Sequence, residues 1–252
     1  MRARVESFCE RFGLKLPILL APMAGACPPS LSIEVMKAGG LGACGALPMQ
    51  PPQIEAWAGK VRREAGGNFQ INLWIPDPPP RRDPDHEARV REFLAAWGPT
   101  PPPDAGEATP PDFDAQCRTL LELRPPVVSS IMGLYPAEIA AEFERAGIAW
   151  FATASTVHEA VTAEAAGAKA IIAQGMEAGG HRGAFDAAAA ERALVGLMSL
   201  VPAVVDAVQV PVVAAGGIAD GRGVAAALAL GAGAVVIGTG FLRCPEARIP
   251  AA

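Results

Sequence analysis

The sequence predicts one α/β domain, a (β/α)₈ barrel occupying residues 1–252. Three observations carry that expectation. Short apolar runs alternate with segments of helical spacing, and eight such runs are found along the chain. The runs are apolar without alternation, as parallel strands buried on both faces are. The chain, at 252 residues and 51% hydrophobic, matches the length that one barrel uses.

The eight candidate strands are PILLAPM (17–23), LGACGA (41–46, with Gly40 leading), NFQINLWI (68–75), PVVSSIMG (126–133), IAWFATA (148–154), AKAIIAQG (168–175), PVVAAGGI (211–218) and GAVVIGTG (233–240). Intervening segments such as PAEIAAEFERAG, TVHEAVTAEAAG and DGRGVAAALALG end in glycine, as C-capped helices do. Eight strand–helix repeats fit a closed barrel better than an open doubly wound sheet.

Two irregularities interrupt the repeat. Between the third and fourth strands, residues 76–125 are rich in proline, and short helices are expected only near 87–97 and 113–123. This reads as an insertion at the barrel mouth rather than a second domain. After the eighth strand only FLRCPEARIPAA remains, too short for a closing helix. Either residues are missing from that end, or a partner or neighbouring segment covers the gap.

Composition excludes several classes. Twenty-one basic against twenty-six acidic residues, a net charge of −5, give no basic patch for nucleic acid or an anionic membrane. The five cysteines, Cys9, Cys27, Cys44, Cys117 and Cys244, are scattered and odd in number, which favours neither a disulfide framework nor a metal site. Cys27 and Cys44 read as small hydrophobes. The N-terminus lacks the apolar core of a signal peptide, so a reduced cytoplasm is expected. Residues 223–242 are uncharged, but five glycines make a short helix, a turn and a buried strand a better reading than a membrane span. The expected partner is a small molecule, and a homo-oligomer is compatible with the sequence.

In a barrel of this kind ligands meet the C-terminal ends of the strands, so the residues closing each run are the informative ones. Glycines after strands seven and eight suit a phosphate held by backbone N–H groups beside a helix N-terminus; Gly216, Gly217, Gly238 and Thr239 form that candidate cradle. Asn72 and Gln174, amides in otherwise apolar runs, suit the edge of a planar heterocycle, with an internal structural hydrogen bond as the alternative. Ala21, Pro22 and Met23 make a small apolar turn able to pack on a flat ring, although Met23 alone would read as core. His181 follows Gly179 and Gly180, which leave the backbone open to a flat ligand, and an imidazole exchanges protons near neutrality. His86 in the insertion and His158 in a helix read as structural or solvated. Arg182 reads equally as an anion contact or an exposed cation.

The segments APMAG, QIN, QGMEAGGHRG, PVVAAGGIADGRG and GTGFL, in this order, resemble the nitronate monooxygenase family, formerly called 2-nitropropane dioxygenases. The resemblance runs from about Leu16 to Pro245. It implies an FMN-containing TIM barrel that oxidises alkyl nitronates with molecular oxygen to a carbonyl compound and nitrite. By motif position it implies that Asn72, Gln174, Gly179, Gly216, Gly217 and the turn Val236, Ile237, Gly238 and Thr239 hold FMN, and that His181 is the active-site histidine. Gly180, Ala21, Pro22 and Met23 complete the expected flavin contacts; no metal is expected. Family members continue past the eighth strand where this chain stops, and strand five ends FATAST without the lysine that some relatives carry, so no basic residue is assigned to the flavin. The alternatives are an FMN-dependent enoyl-thioester reductase using NADH or NADPH, and a flavin-binding protein with little turnover.

Overall fold

The computed structural model describes residues 1–78, 82–107 and 110–249. All eight expected strands form: β1 (Ile18–Leu20), β2 (Gly42–Gly45), β3 (Phe69–Trp74), β4 (Val127–Ile131), β5 (Ala149–Ala154), β6 (Ala170–Gln174), β7 (Val212–Ala215) and β8 (Ala234–Ile237). They are parallel and ordered β1-β8-β7-β6-β5-β4-β3-β2. A parallel bridge between Leu19 and Leu41 joins the two ends, with Leu20 N–H donating to Leu41 O at 2.9 Å and Leu41 N–H to Ile18 O at 3.0 Å, so the sheet closes into a (β/α)₈ barrel.

Alternate residues of each strand serve two different cores, which is why the runs are apolar throughout. Ile71, Val128, Trp150, Ile171, Val212 and Val235 pack outward against the helices. Leu19, Val127, Phe151, Ile172, Val213 and Ala234 fill the barrel interior. The outer layer comprises α2 (Pro29–Lys37), α3 (Pro51–Ala65), α5 (Phe113–Leu123), α6 (Ala137–Arg145), α7 (Val157–Ala165), α8 (Leu197–Ala207) and α9 (Gly221–Ala229).

One helix was not legible in the pattern. The N-terminal segment forms α1 (Arg2–Phe12), which closes the N-terminal end of the barrel with Phe8, 2% exposed, set among the interior residues. Phe8, Phe12 and Phe151 form a ring cluster, with centroids 4.8 Å apart for Phe8–Phe12 and for Phe12–Phe151.

The insertion after β3 carries the two expected helices. α4 (Pro84–Ala95) begins at Asp83, whose side chain accepts from His86 N–H, and buries none of its residues; α5 begins at Asp112 and buries Cys117 and Leu120 against the barrel. α4 and its flank leave Phe93 64% and Trp97 79% exposed. At the other irregularity, two 3₁₀ turns (Thr239–Arg243 and Pro245–Ala247) follow β8. Ala247 packs with Leu20, Leu31 and Val35, and Ser30 Oγ donates to Glu246 O at 2.8 Å. The chain's own last turns therefore cover part of the gap, leaving a groove of about 260 Å³ lined by Leu16, Ile18, Val35, Phe241 and Cys244 among others. Residues 223–242 divide into most of α9, a turn, β8 and a 3₁₀ turn, and among the described residues no helix is long and apolar enough to cross a membrane.

Candidate active site

The C-terminal ends of the strands gather the residues singled out above, and two kinds of chemistry meet there. On the side of β3 to β5 the inward positions are polar side chains: Gln70, Asn72, Ser129 and Thr153 are all buried. Asn72 Nδ2 donates to Ser129 Oγ at 3.1 Å, and Tyr135 Oη donates to Ser129 O at 3.0 Å, so the amide is held from behind by a bonded pair. Gln70, one inward position deeper, donates to Leu20 O at 3.1 Å while its buried Oε1 has no protein partner.

On the side of β6 to β8 the site is built from backbone. Gly216 and Gly217 follow β7 at φ +130° and +64°, conformations open to glycine and strained for a side chain. A Cβ on Gly216 would lie 3.1 Å from Ala178 N, and one on Gly217 3.2 Å from Glu177 Cβ. Their N–H groups donate to no backbone or side-chain acceptor among the described residues. A Cβ on Gly179 would come 2.9 Å from Thr239 Oγ1, so the β6 loop and the turn after β8 are in direct contact. Gly238 meets the β1 turn in the same way, its Cβ position being 3.2 Å from Ala21 Cβ and 3.6 Å from Met23 Sδ. Pro22 lies between them and is half-buried. Val236 faces the barrel interior, whereas Ile237 packs outward and its carbonyl accepts from Ala21 N–H. The N-terminus of α9 is closed by its own cap: Asp220 accepts from the N–H groups of Arg222 and Gly223. The open donors thus lie in the glycine turn ahead of that helix. The Arg222 guanidinium and the same backbone N–H groups hold the Asp220 carboxyl below its ordinary range.

The loop from Gly175 to the start of α8 is tied at five points. Gln174 Oε1 accepts from Gly183 N–H at 2.7 Å and its Nε2 donates to His181 O at 3.1 Å, so both ends of this amide hold the glycine-rich loop. Buried Glu159 accepts from Ser155, Thr156 and Phe185. Glu177 caps α8 by accepting from Leu197 N–H at 3.0 Å, and Met176 N–H donates to Val195 O at 2.8 Å. Gly180 is at φ +82° with open space around its Cβ position. His181 itself is exposed, and its ring centroid is 4.5 Å from that of Trp74, edge to face at 69°. Arg182 points its guanidinium toward Gly175 O at 3.4 Å. Beside it lies a cavity of about 170 Å³ lined by Asp77, Met132, Arg182, Ala184, Ala187 and Ala190, with Met132 at φ +66°.

His86 and His158 lie on α4 and α7, outside this cluster. All five cysteines are free; burial pushes the Cys27 thiol up to about 11 and that of Cys117 to about 12, and raises Cys44 further. Cys27 and Cys44 behave as the small hydrophobes expected. Trp74, Ser129, Glu159 and Glu177 escaped the sequence reading. Trp74 had a signal, since it shares the inward parity of Asn72 at the end of its strand; the two glutamates act across loops that no local pattern connects.

A family model described as nitronate monooxygenase matches residues 6–252. A nitronate monooxygenase of Paraburkholderia phytofirmans is 40% identical over 251 residues, covering 94% of this chain and 66% of that protein. One from Pseudomonas aeruginosa is 38% identical over 253 residues, covering 98% and 72%. Among solved structures, a nitroalkane oxidase from Streptomyces ansochromogenes superposes with a TM-score of 0.83 at 38% identity, covering 95% of this chain and 69% of that one. FabK from Thermotoga maritima gives 0.73 at 31% identity, covering 95% and 63%. The chain therefore spans about two thirds of the length of the relatives it matches.

Proposed function

Because the chain belongs to the nitronate monooxygenase family, we propose that it is an FMN-dependent enzyme that oxidises alkyl nitronates with molecular oxygen to a carbonyl compound and nitrite. The observation that carries this reading is the backbone cradle, in which Gly216 and Gly217 present unpartnered N–H groups beside the Gly179–Thr239 contact. That arrangement suits a terminal phosphate without a basic side chain. Gly216, Gly217, Gly238 and Thr239 hold the phosphate, and Val236 and Ile237, the end of β8, lead into that turn. Asn72 and Gln174 border the ring, Ala21, Pro22 and Met23 support it, and Gly179 and Gly180 allow it close to the backbone. FMN when bound supplies the electron chemistry between nitronate and oxygen.

The chain's own residues orient and shield the reactants. His181 faces the substrate, either stabilising the nitronate anion or taking the α proton of a neutral nitroalkane. The cavity beside Arg182 gives room for a small alkyl substituent. The whole acts as one domain in a reduced cytoplasm, where free thiols persist.

The test begins with the flavin released on denaturation: FMN is expected, and FAD overturns the assignment. His181→Asn is then expected to keep FMN and lose activity by about 10²- to 10⁴-fold per bound flavin, the range for a positioned acid–base group or charge-stabilising donor. If His181 is the base, neutral nitroalkanes suffer far more than pre-formed nitronates; if it acts electrostatically, both fall together. Wild-type turnover of both forms removes His181 from the mechanism. The likeness to FabK supports a second reading, the enoyl-thioester reductase, which rapid anaerobic bleaching of the flavin by NADH or NADPH would favour. Absence of oxygen uptake with any nitronate or nicotinamide would instead indicate a flavin-binding protein with little turnover.

A further inference from the structure

We propose that Trp74 is the positioning residue of His181: its indole holds the imidazole over the barrel mouth while leaving both ring nitrogens free for the substrate. The inference rests on the reading of His181 given above. His181 stands on a loop whose ties are all made by other groups. Its own carbonyl is bonded to Gln174, Gly183 is bonded to the same amide, and Phe185 to Glu159. These bonds fix the backbone on one side, yet Gly179 and Gly180 precede the histidine, and nothing surrounds the Cβ position of Gly180. Among the described residues, neither imidazole nitrogen has a hydrogen-bond partner. The ring's aromatic neighbour is Trp74, at 4.5 Å.

Trp74 is well placed for that duty. It is the last residue of β3, register-paired with Ile131 of β4, so its backbone belongs to the rigid barrel wall. Strand alternation puts it on the inward side with Gln70 and Asn72. An oxygen partner such as a carboxylate would orient an imidazole by occupying one nitrogen and selecting a tautomer. An indole contacting edge to face orients the ring through its quadrupole and takes up no nitrogen lone pair. That difference suits a histidine that meets the substrate directly, whether as charge-stabilising donor or as base.

The test compares wild type, Trp74→Leu, Trp74→Phe and His181→Asn, each with and without FMN. Imidazole resonances of His181 are assigned by their loss in His181→Asn. In wild type they are expected to be displaced by the indole ring current relative to the exposed His86 and His158, both in the flavin-free and in the FMN-loaded protein. Trp74→Leu removes the displacement and lowers kcat about 2- to 10-fold, the range that an edge-to-face aromatic pair is worth, with FMN affinity unchanged. Trp74→Phe retains most of both. Undisplaced His181 resonances in wild type overturn the inference, as do wild-type kcat in Trp74→Leu or equal impairment of the two Trp74 variants. If Trp74→Leu fails to fold, the wild-type resonances and Trp74→Phe still decide. A catalytically normal His181→Asn would defeat the reading of His181 itself, a result separate from the ring-current outcome.

Discussion

The two ends of this barrel are built from opposite materials. The N-terminal end is stopped by aromatic side chains, Phe8 and half-buried Phe12 of α1 against Phe151. The C-terminal end is open, its wall made of glycine backbone on the β6 to β8 side and of bonded polar side chains on the β3 to β5 side. A packed aromatic plug gains from every contact and tolerates no void. The proposed ligand site would instead have to keep groups unsatisfied until something arrives, as the N–H groups of Gly216 and Gly217 are. On the proposed reading, the contrast separates stability from binding along the barrel axis, as expected where catalytic groups gather at one face.

Phe8→Ala should break this separation if it is not real. Emptying the plug is expected to destabilise the fold by about 3–5 kcal/mol, the range for a buried aromatic truncation, in denaturant titration. FMN affinity of the folded protein should be unchanged, and a matching loss of affinity would mean that the two ends are coupled. Gly217→Val does the converse: a branched side chain at φ +64° meets about 1–2 kcal/mol of left-handed strain, so stability falls modestly. Flavin dissociation should rise by roughly tenfold or more, because the Cβ also crowds the cradle. Retention of wild-type affinity would remove Gly217 from the phosphate site.

The smallest effect is a pH step behind the cradle. Asp220, capping α9, has its carboxyl lowered by Arg222 and by two backbone N–H groups, so its contribution is fully present above the unfolded value of 3.8 and is lost as pH falls through the lower folded one. Melting temperature should therefore drop on acidification below that value, with the Asp220 part of the drop absent in Asp220→Asn, which keeps an acceptor for the cap. An identical acid profile in the two proteins would show that the cap does not respond to charge.

The strands were legible because each is a short apolar run between glycines or prolines, and the helix at 113–123 because its apolar stripe repeats at helical spacing. α1 was not, because its charges of both signs blur any apolar stripe and its plug is only Phe8 and Phe12, four residues apart. The candidate residues at 72, 174, 179–181, 216–217 and 238–239 were legible as a group because a barrel places strand ends together. Their division of labour was not. Gln174 could be read as a ring contact, but the bonds from both ends of its amide to the loop depend on a fold-back from Gly183 to β6 that no spacing encodes. Likewise Glu159 acts on Phe185 across 26 positions.

The buried thiols bear on wear. If oxygen is consumed at the mouth as proposed, partly reduced oxygen species are the hazard of the site, and they attack thiolates rather than thiols. Cys27, Cys44 and Cys117 are each buried, with ionisation pushed to about 11 or above. At neutral pH these buried sulfurs stay protonated. The protein thus carries most of its sulfur as buried thiol, and half-buried Cys244, in the turns after β8, becomes the first place where ageing would register.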